Sequence, residues 1–125
     1  MTTIGTKLQF SIILEATLVC ATVQVIYPTG LLDSIQGNQL RQEINQLVDN
    51  GHPCILIDCR DVELMDSSGL SALVMAFQKV RSVGGTLGLR AINDQVRMLL
   101  ELTAMDGIFQ IFPKEGSPQE AMMKQ

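Results

Sequence analysis

Residues 63–71 read ELMDSSGLS, and the predicted fold is organised around them. An apolar run of strand length, residues 54–58, comes shortly before it. After it, apolar residues recur at the spacing of an amphipathic helix, namely at Leu70, Leu73, Val74, Phe77 and Val80. The small polar residues between the two suit a helix start, because a side-chain oxygen there can accept from free N–H groups of the first turn. The sequence therefore predicts a buried strand, a polar junction and a helix from about Ser68 to Val83.

The segment before this unit predicts two strands and a helix. Residues 8–15 alternate with period two and residues 17–27 are rich in Val and Thr, which indicates an antiparallel hairpin. Asp33 or Ser34 can cap the next helix, which ends at Asn50-Gly51. Gly37 lies inside this helix, where glycine costs about 1 kcal/mol relative to alanine. The apolar face of the helix is formed by Leu40, Ile44, Leu47 and Val48.

The segment after the unit continues the alternation of strands and helices. Gly84-Gly85 ends the second helix, residues 86–90 form a strand, and Asn93 caps a third helix. Residues 108–112 form a last strand, and Ser117-Pro118 begins a short C-terminal helix. The predicted order is β-β-α-β-α-β-α-β-α. It describes one α/β domain, residues 1–125, with a mixed sheet of four to five strands and helices packed against it.

Composition excludes several classes of partner. The net charge is −4 and no run of Lys and Arg occurs, so the chain lacks the basic footprint of a nucleic-acid-binding protein. The most apolar long window, residues 8–27, contains Gln9, Glu15 and Gln24, which argue against insertion into a membrane. With no secretory signal visible, we expect a cytoplasmic protein. We expect its three cysteines, Cys20, Cys54 and Cys59, to be reduced and buried.

Enzymatic chemistry finds little support in the sequence. A nucleophilic Ser67 or Ser68 would need a base, and the single histidine, His52, is expected at the opposite end of the sheet. There is no nucleotide-binding loop of the Walker type, and we predict no cofactor. Four acidic residues lack a supporting histidine, namely Asp58, Asp61, Glu63 and Asp66. We interpret them as solvated loop carboxylates, and the alternative is a weak divalent-ion site near Asp66.

An apolar residue followed by Asp-Ser-Ser-Gly-Leu (residues 66–70), with Gly84-Gly85 about fifteen residues on, resembles a known motif. It is similar to the phosphorylation-site segment of anti-sigma factor antagonists, which belong to the STAS family (sulphate transporter and anti-sigma factor antagonist domains). The resemblance extends to residues 30–34, 84–87 and 96–102. It implies the STAS fold over nearly the whole chain.

The resemblance also implies a function. Ser67, the first serine after the aspartate, would be the phosphorylation site, and the neighbouring contact surface would be formed by Asp33, Ser34, Asp66, Ser67, Ser68 and Gly69. The unphosphorylated protein would bind an anti-sigma factor that is also a serine kinase and so release the sigma factor. Phosphorylation would end the binding, and a PP2C-type serine phosphatase would restore it.

Three alternatives stay open at this point. The domain could be a STAS interaction module of another signalling complex or of a transporter-associated complex. It could be a small serine hydrolase, although the sequence offers no base. It could also be a purely structural module in which Ser67 only caps a helix.

Overall fold

The computed structural model describes residues 22–116, which form six strands and three helices. Their order is β-β-α-β-β-α-β-α-β. The strands are β1 (Gln24–Ile26), β2 (Gly30–Leu32), β3 (Cys54–Asp58), β4 (Val62–Met65), β5 (Thr86–Arg90) and β6 (Gln110–Phe112). The helices are α1 (Ser34–Asp49), α2 (Ser67–Ser82) and α3 (Asp94–Leu102).

The main sheet has the strand order β1-β3-β5-β6, and each neighbouring pair is parallel. All five residues of β3 are buried, which confirms the prediction that this apolar run lies at the centre of a covered sheet. The predicted hairpin falls largely outside the described residues. Near the end of its predicted second strand, residues 24–26 form β1, which pairs with β3 in parallel register.

Two short strands were missed by the sequence analysis, which treated β2 and β4 as connecting segments. They pair with each other in parallel as a separate two-stranded sheet. With three and four residues they are too short to show a period of two. In β4 the buried residues are the first and the last, so the burial itself does not alternate.

Helices α1 and α2 pack closely against each other where both contain glycine. A Cβ at Gly37 would lie 2.9 Å from the Cβ of Ala72 and 3.3 Å from the Cα of Gly69. This approach explains a glycine inside α1 that helix propensity alone disfavours. The predicted apolar faces of α1 and α2 are confirmed at Leu40, Ile44, Val48, Leu70, Leu73 and Val80, which are all buried, and Val96 and Leu100 of α3 are buried as well.

The remaining boundaries agree closely with the prediction. Helix α2 begins at Ser67 and α3 is capped by Asn93, as its sequence suggested. The predicted C-terminal helix and Cys20 lie outside the described residues. Within residues 22–116 the structure holds no helix with the length and hydrophobicity that a membrane crossing requires.

Candidate functional site

The two-stranded sheet brings two helix starts side by side. Its register aligns Leu32 with Met65, and each of these residues is followed by an Asp-Ser pair that opens a helix. Paired strands lie about 4.8 Å apart, so the two helix starts are neighbours. The Asp66 N–H also donates to the Leu32 carbonyl at 3.3 Å. The structure thus places all six predicted site residues at one end of the α1–α2 pair.

Aspartates, not serines, cap these helices. Asp33 Oδ1 accepts from the Gln36 N–H at 2.9 Å, and Asp66 Oδ1 accepts from the Gly69 N–H at 2.9 Å. Both caps have extended backbone angles, and in each helix the serine that follows is the first helical residue. Capping therefore does not account for Ser67, because the cap position belongs to Asp66.

The Ser67 hydroxyl is left available at the surface. Ser67 is exposed, and among residues 22–116 its Oγ atom has no hydrogen-bond partner. Its carbonyl oxygen accepts from the Ser71 hydroxyl at 2.9 Å, a bond within α2. The hydroxyl stands at the positive end of the helix dipole, where added negative charge is favoured.

Gly69 lies behind this hydroxyl, where the helix meets β2. It is buried, and a Cβ on it would stand 2.7 Å from the Leu32 carbonyl carbon and closer still to the Leu32 oxygen. Glycine is therefore required sterically for α2 to start against the end of β2. The motif glycine holds the two helix starts together, which sets the position of Ser67.

The amide side chains of Asn93 and Gln95 brace β4 from its other edge. Gln95 Oε1 accepts from the Met65 N–H at 2.8 Å, and Gln95 Nε2 donates to the Met65 carbonyl at 2.8 Å. Asn93 Nδ2 donates to the carbonyls of Val62 at 3.0 Å and Glu63 at 3.1 Å. Sequence analysis identified Asn93 as a cap but missed this second role and missed Gln95. No local signal marks a bond that joins residues about thirty positions apart.

A groove of about 480 Å³ runs from Ser67 along the exposed side of α2. Its lining is mainly apolar, and it includes Leu70, Val74, Met75 and Met105. Further large apolar side chains are exposed on the β2–β4 unit and at the start of α1, namely Leu31, Ile35 and Leu64. Exposed apolar surface of this kind marks sites of protein–protein contact.

The described residues place no histidine near Ser67 and no group of side chains that could hold a metal ion. His52 precedes Pro53, whose carbonyl accepts from the Thr86 N–H at 2.9 Å just beyond the end of α2. Ser67 is at the other end of this 16-residue helix. At 1.5 Å per residue, the helix separates the two by about 24 Å. Within residues 22–116 no three His, Cys, Asp or Glu side chains are grouped to hold a metal ion.

One predicted carboxylate is not solvated. Asp58 is fully buried, and its carboxylate binds Arg90 at 2.8 Å and Arg60 at 2.6 Å. Burial alone would raise the pKa of Asp58. Hydrogen bonds from Arg60 and Arg90 outweigh it and lower the pKa from 3.8 to about 2. The interpretation of Asp58 as a loop carboxylate was wrong, because its partner Arg90 comes from a strand 32 residues away.

The buried thiols agree with the sequence analysis. Cys54 and Cys59 are both buried at the two ends of the β3 segment. Burial, with the Asp58 charge beside it, raises the pKa of Cys59 to about 12. A thiol in this state is not a nucleophile at neutral pH.

Residues 22–116 thus form an α/β domain in which the start of α2 carries an exposed serine beside an apolar groove. The family model for the STAS domain matches residues 17–117. The chain therefore belongs to the STAS domain family, and the fold expected from the sequence is confirmed.

Several proteins to which this chain is similar are named anti-sigma factor antagonists. The chain is 32% identical over 91 residues to the anti-sigma-B factor antagonist of Bacillus subtilis, covering 72% of this chain and 83% of that protein. It is 28% identical over 92 residues to the putative anti-sigma factor antagonist BtrV of Bordetella bronchiseptica, covering 74% and 77%. The crystal structure of a putative anti-sigma factor antagonist from Thermotoga maritima superimposes with a TM-score of 0.71 at 26% identity, covering 82% of this chain and 86% of that one.

Proposed function

We propose that this protein is an anti-sigma factor antagonist whose binding is switched off by phosphorylation of Ser67. The observation that carries the proposal is the exposed Ser67 hydroxyl, which has no partner in the described residues and lies at the end of an apolar groove. The names of the relatives support the same branch of the family. The protein would act by binding, as a cytoplasmic regulator rather than an enzyme.

The fold accommodates a phosphate on Ser67. Phosphorylation adds about −1.5 to −2 charges at neutral pH. The N–H groups of Ser67 and Ser68 belong to the first turn of α2, where an α-helix provides no backbone acceptor. These groups and the helix dipole stabilise the added charge, so α2 should remain folded.

A bound partner would not accommodate the same phosphate. The groove beside Ser67 is mainly apolar, and closing a partner over it would strip water from the phosphate. A penalty of about 3 kcal/mol is enough to weaken a complex more than a hundredfold. Phosphorylation would therefore control binding without refolding the domain.

We propose two partners with opposite effects. The first is an anti-sigma factor that is also a serine kinase, which the unphosphorylated domain binds and which modifies Ser67 with ATP. The second is a PP2C-type serine phosphatase, which removes the phosphate. The contact surface would comprise Asp33, Ser34, Asp66, Ser68 and Gly69 around the acceptor, extended by the apolar groove.

The first experiment maps the modified residue. The protein is incubated with ATP and a candidate anti-sigma factor kinase, and the product is analysed by site-resolved mass spectrometry. Phosphate should appear on Ser67, and the Ser67→Ala variant should stay unmodified. Ser82→Ala is the control, because Ser82 is an exposed serine at the opposite end of α2, outside the proposed contact surface, and its replacement should leave modification of Ser67 intact. Equal labelling of Ser67→Ala and the parent would refute the switch.

The second experiment measures binding. Ser67→Asp should bind the kinase at least a hundredfold more weakly than the parent, for the charge and desolvation reasons given above. Its circular-dichroism spectrum should not change, because the helix start tolerates a carboxylate. Unaltered affinity would refute the charge switch, and loss of the folded spectrum would show that Ser67 is mainly structural.

A further inference from the structure

A second cleft, on the carboxyl-terminal edge of the main sheet, carries a different chemistry from the Ser67 groove. It has a volume of about 320 Å³ and is formed by the segments that follow β3, β5 and β6. Each segment places a cation in its wall or close behind it: Arg60 follows β3, Arg97 lies on α3, and Lys114 follows β6. In parallel α/β sheets this edge is where small ligands bind.

The charged side chains that line this cleft are all cationic in the described part of the chain. No acidic residue among residues 22–116 lines it. The nearest buried carboxylate, Asp58, is shared between Arg60 and Arg90, so one carboxylate serves two guanidinium groups. Within residues 22–116 the side chains of Arg97 and Lys114 have no hydrogen bond or ion pair at all. Arg97 and Lys114 are therefore the two unpaired cations of the cleft within residues 22–116, whereas Arg60 has only Nη1 free there, because its Nε and Nη2 bind Asp58.

Two features of the backbone add to the cation cluster. Ala91, in the wall of the cleft, has φ of +58°, a left-handed conformation that a residue with a Cβ rarely adopts. The cap of α3, Asn93, also lines the cleft, so the positive end of this nine-residue helix is at its rim. Arg97 follows Asn93 by one helical turn and therefore lies on the same face.

We propose that this cleft binds a small phosphate-bearing anion through Arg60, Arg97 and Lys114. Its volume lies at the lower end of the range for small-molecule sites, about 300–1,000 Å³. Arginine forms paired hydrogen bonds with phosphate oxygens, and lysine adds a point charge. The site is separate from the Ser67 groove, and binding there does not depend on the phosphorylation switch.

The test is a titration of the full chain carrying Ser67→Ala with inorganic pyrophosphate at low ionic strength, followed by calorimetry and amide chemical shifts. The changes in amide chemical shift should be largest in residues 91–97 and 112–114. Arg97→Gln and Lys114→Gln should each weaken binding about tenfold, the effect of one charge-assisted hydrogen bond. Both side chains lack internal partners in the described residues, so these variants should fold as the parent does.

The matched control is Arg81→Gln, which removes the same charge from the exposed end of α2. It should bind pyrophosphate as the parent does. An equal loss in Arg81→Gln, or undiminished binding in both cleft variants, would overturn the proposal. Competition with ATP then separates the two sources of the phosphate: displacement of pyrophosphate indicates a nucleotide, and its absence indicates a free phosphate anion. Because Ser67 is already replaced, failure of the switch would not affect the result.

Discussion

Replacing Gly69 with alanine tests whether the two helix starts are held by a direct steric fit. The new Cβ would meet backbone, standing 2.7 Å from the Leu32 carbonyl carbon and closer to its oxygen. Because a strand end cannot rotate away like a side chain, the cost should lie near the top of the overpacking range, about 3 kcal/mol. Alanine regains at most about 1 kcal/mol of helix propensity. We therefore expect a net loss of about 2 kcal/mol.

Urea unfolding followed by circular dichroism measures this loss. The midpoint should fall while the slope with denaturant stays constant, and the melting temperature should drop by about 8 °C. Gly107→Ala is the matched control, because a Cβ there meets nothing within 4 Å, and its stability should change by less than about 0.5 kcal/mol. Gly37→Ala, whose Cβ would stand 2.9 Å from the Ala72 methyl and 3.3 Å from the Gly69 Cα, should fall between the two. Parental stability in Gly69→Ala would refute the steric argument.

Three further outcomes are expected. Gln95→Leu leaves the Met65 N–H and carbonyl without their partner, so it should cost about 1–3 kcal/mol in urea unfolding and speed exchange of the Met65 amide. Asp58, with a pKa lowered from 3.8 to about 2, stabilises the fold above pH ~4 by about 2 kcal/mol, a contribution lost as the pH falls through 2. Asp58→Asn should abolish that acid-dependent loss. Cys59, with a pKa of about 12, should resist iodoacetamide at pH 8 until urea unfolds the chain.

Much of the architecture could be predicted because long elements carry repeated signals. The burial of β3 follows from an unbroken apolar run, and α2 follows from apolar residues at helical spacing. The helix starts at Asp33 and Asp66 could be located from residue type, since short polar side chains favour caps. The nearness of these two starts came from a family resemblance, not from the spacing itself.

What escaped prediction depends on contacts between distant parts of the chain. Strand β2 is stable only as the partner of β4, and neither shows a periodic pattern. The burial of Asp58 depends on Arg90, and the brace on Met65 depends on Gln95. In each case the local sequence permits several environments, and the tertiary partner selects one of them.

The brace on β4 would also determine what the proposed kinase recognises. Residues 63–71 take their shape from β2 on one edge and from Asn93 and Gln95 on the other, about thirty residues away in each direction. Bringing such segments together requires the closure of long loops, which occurs only when the domain folds. A synthetic peptide copying residues 60–75 would contain Ser67 but neither neighbour. As the proposed acceptor, this segment would be a conformational epitope, formed by the folded domain and absent from the linear chain.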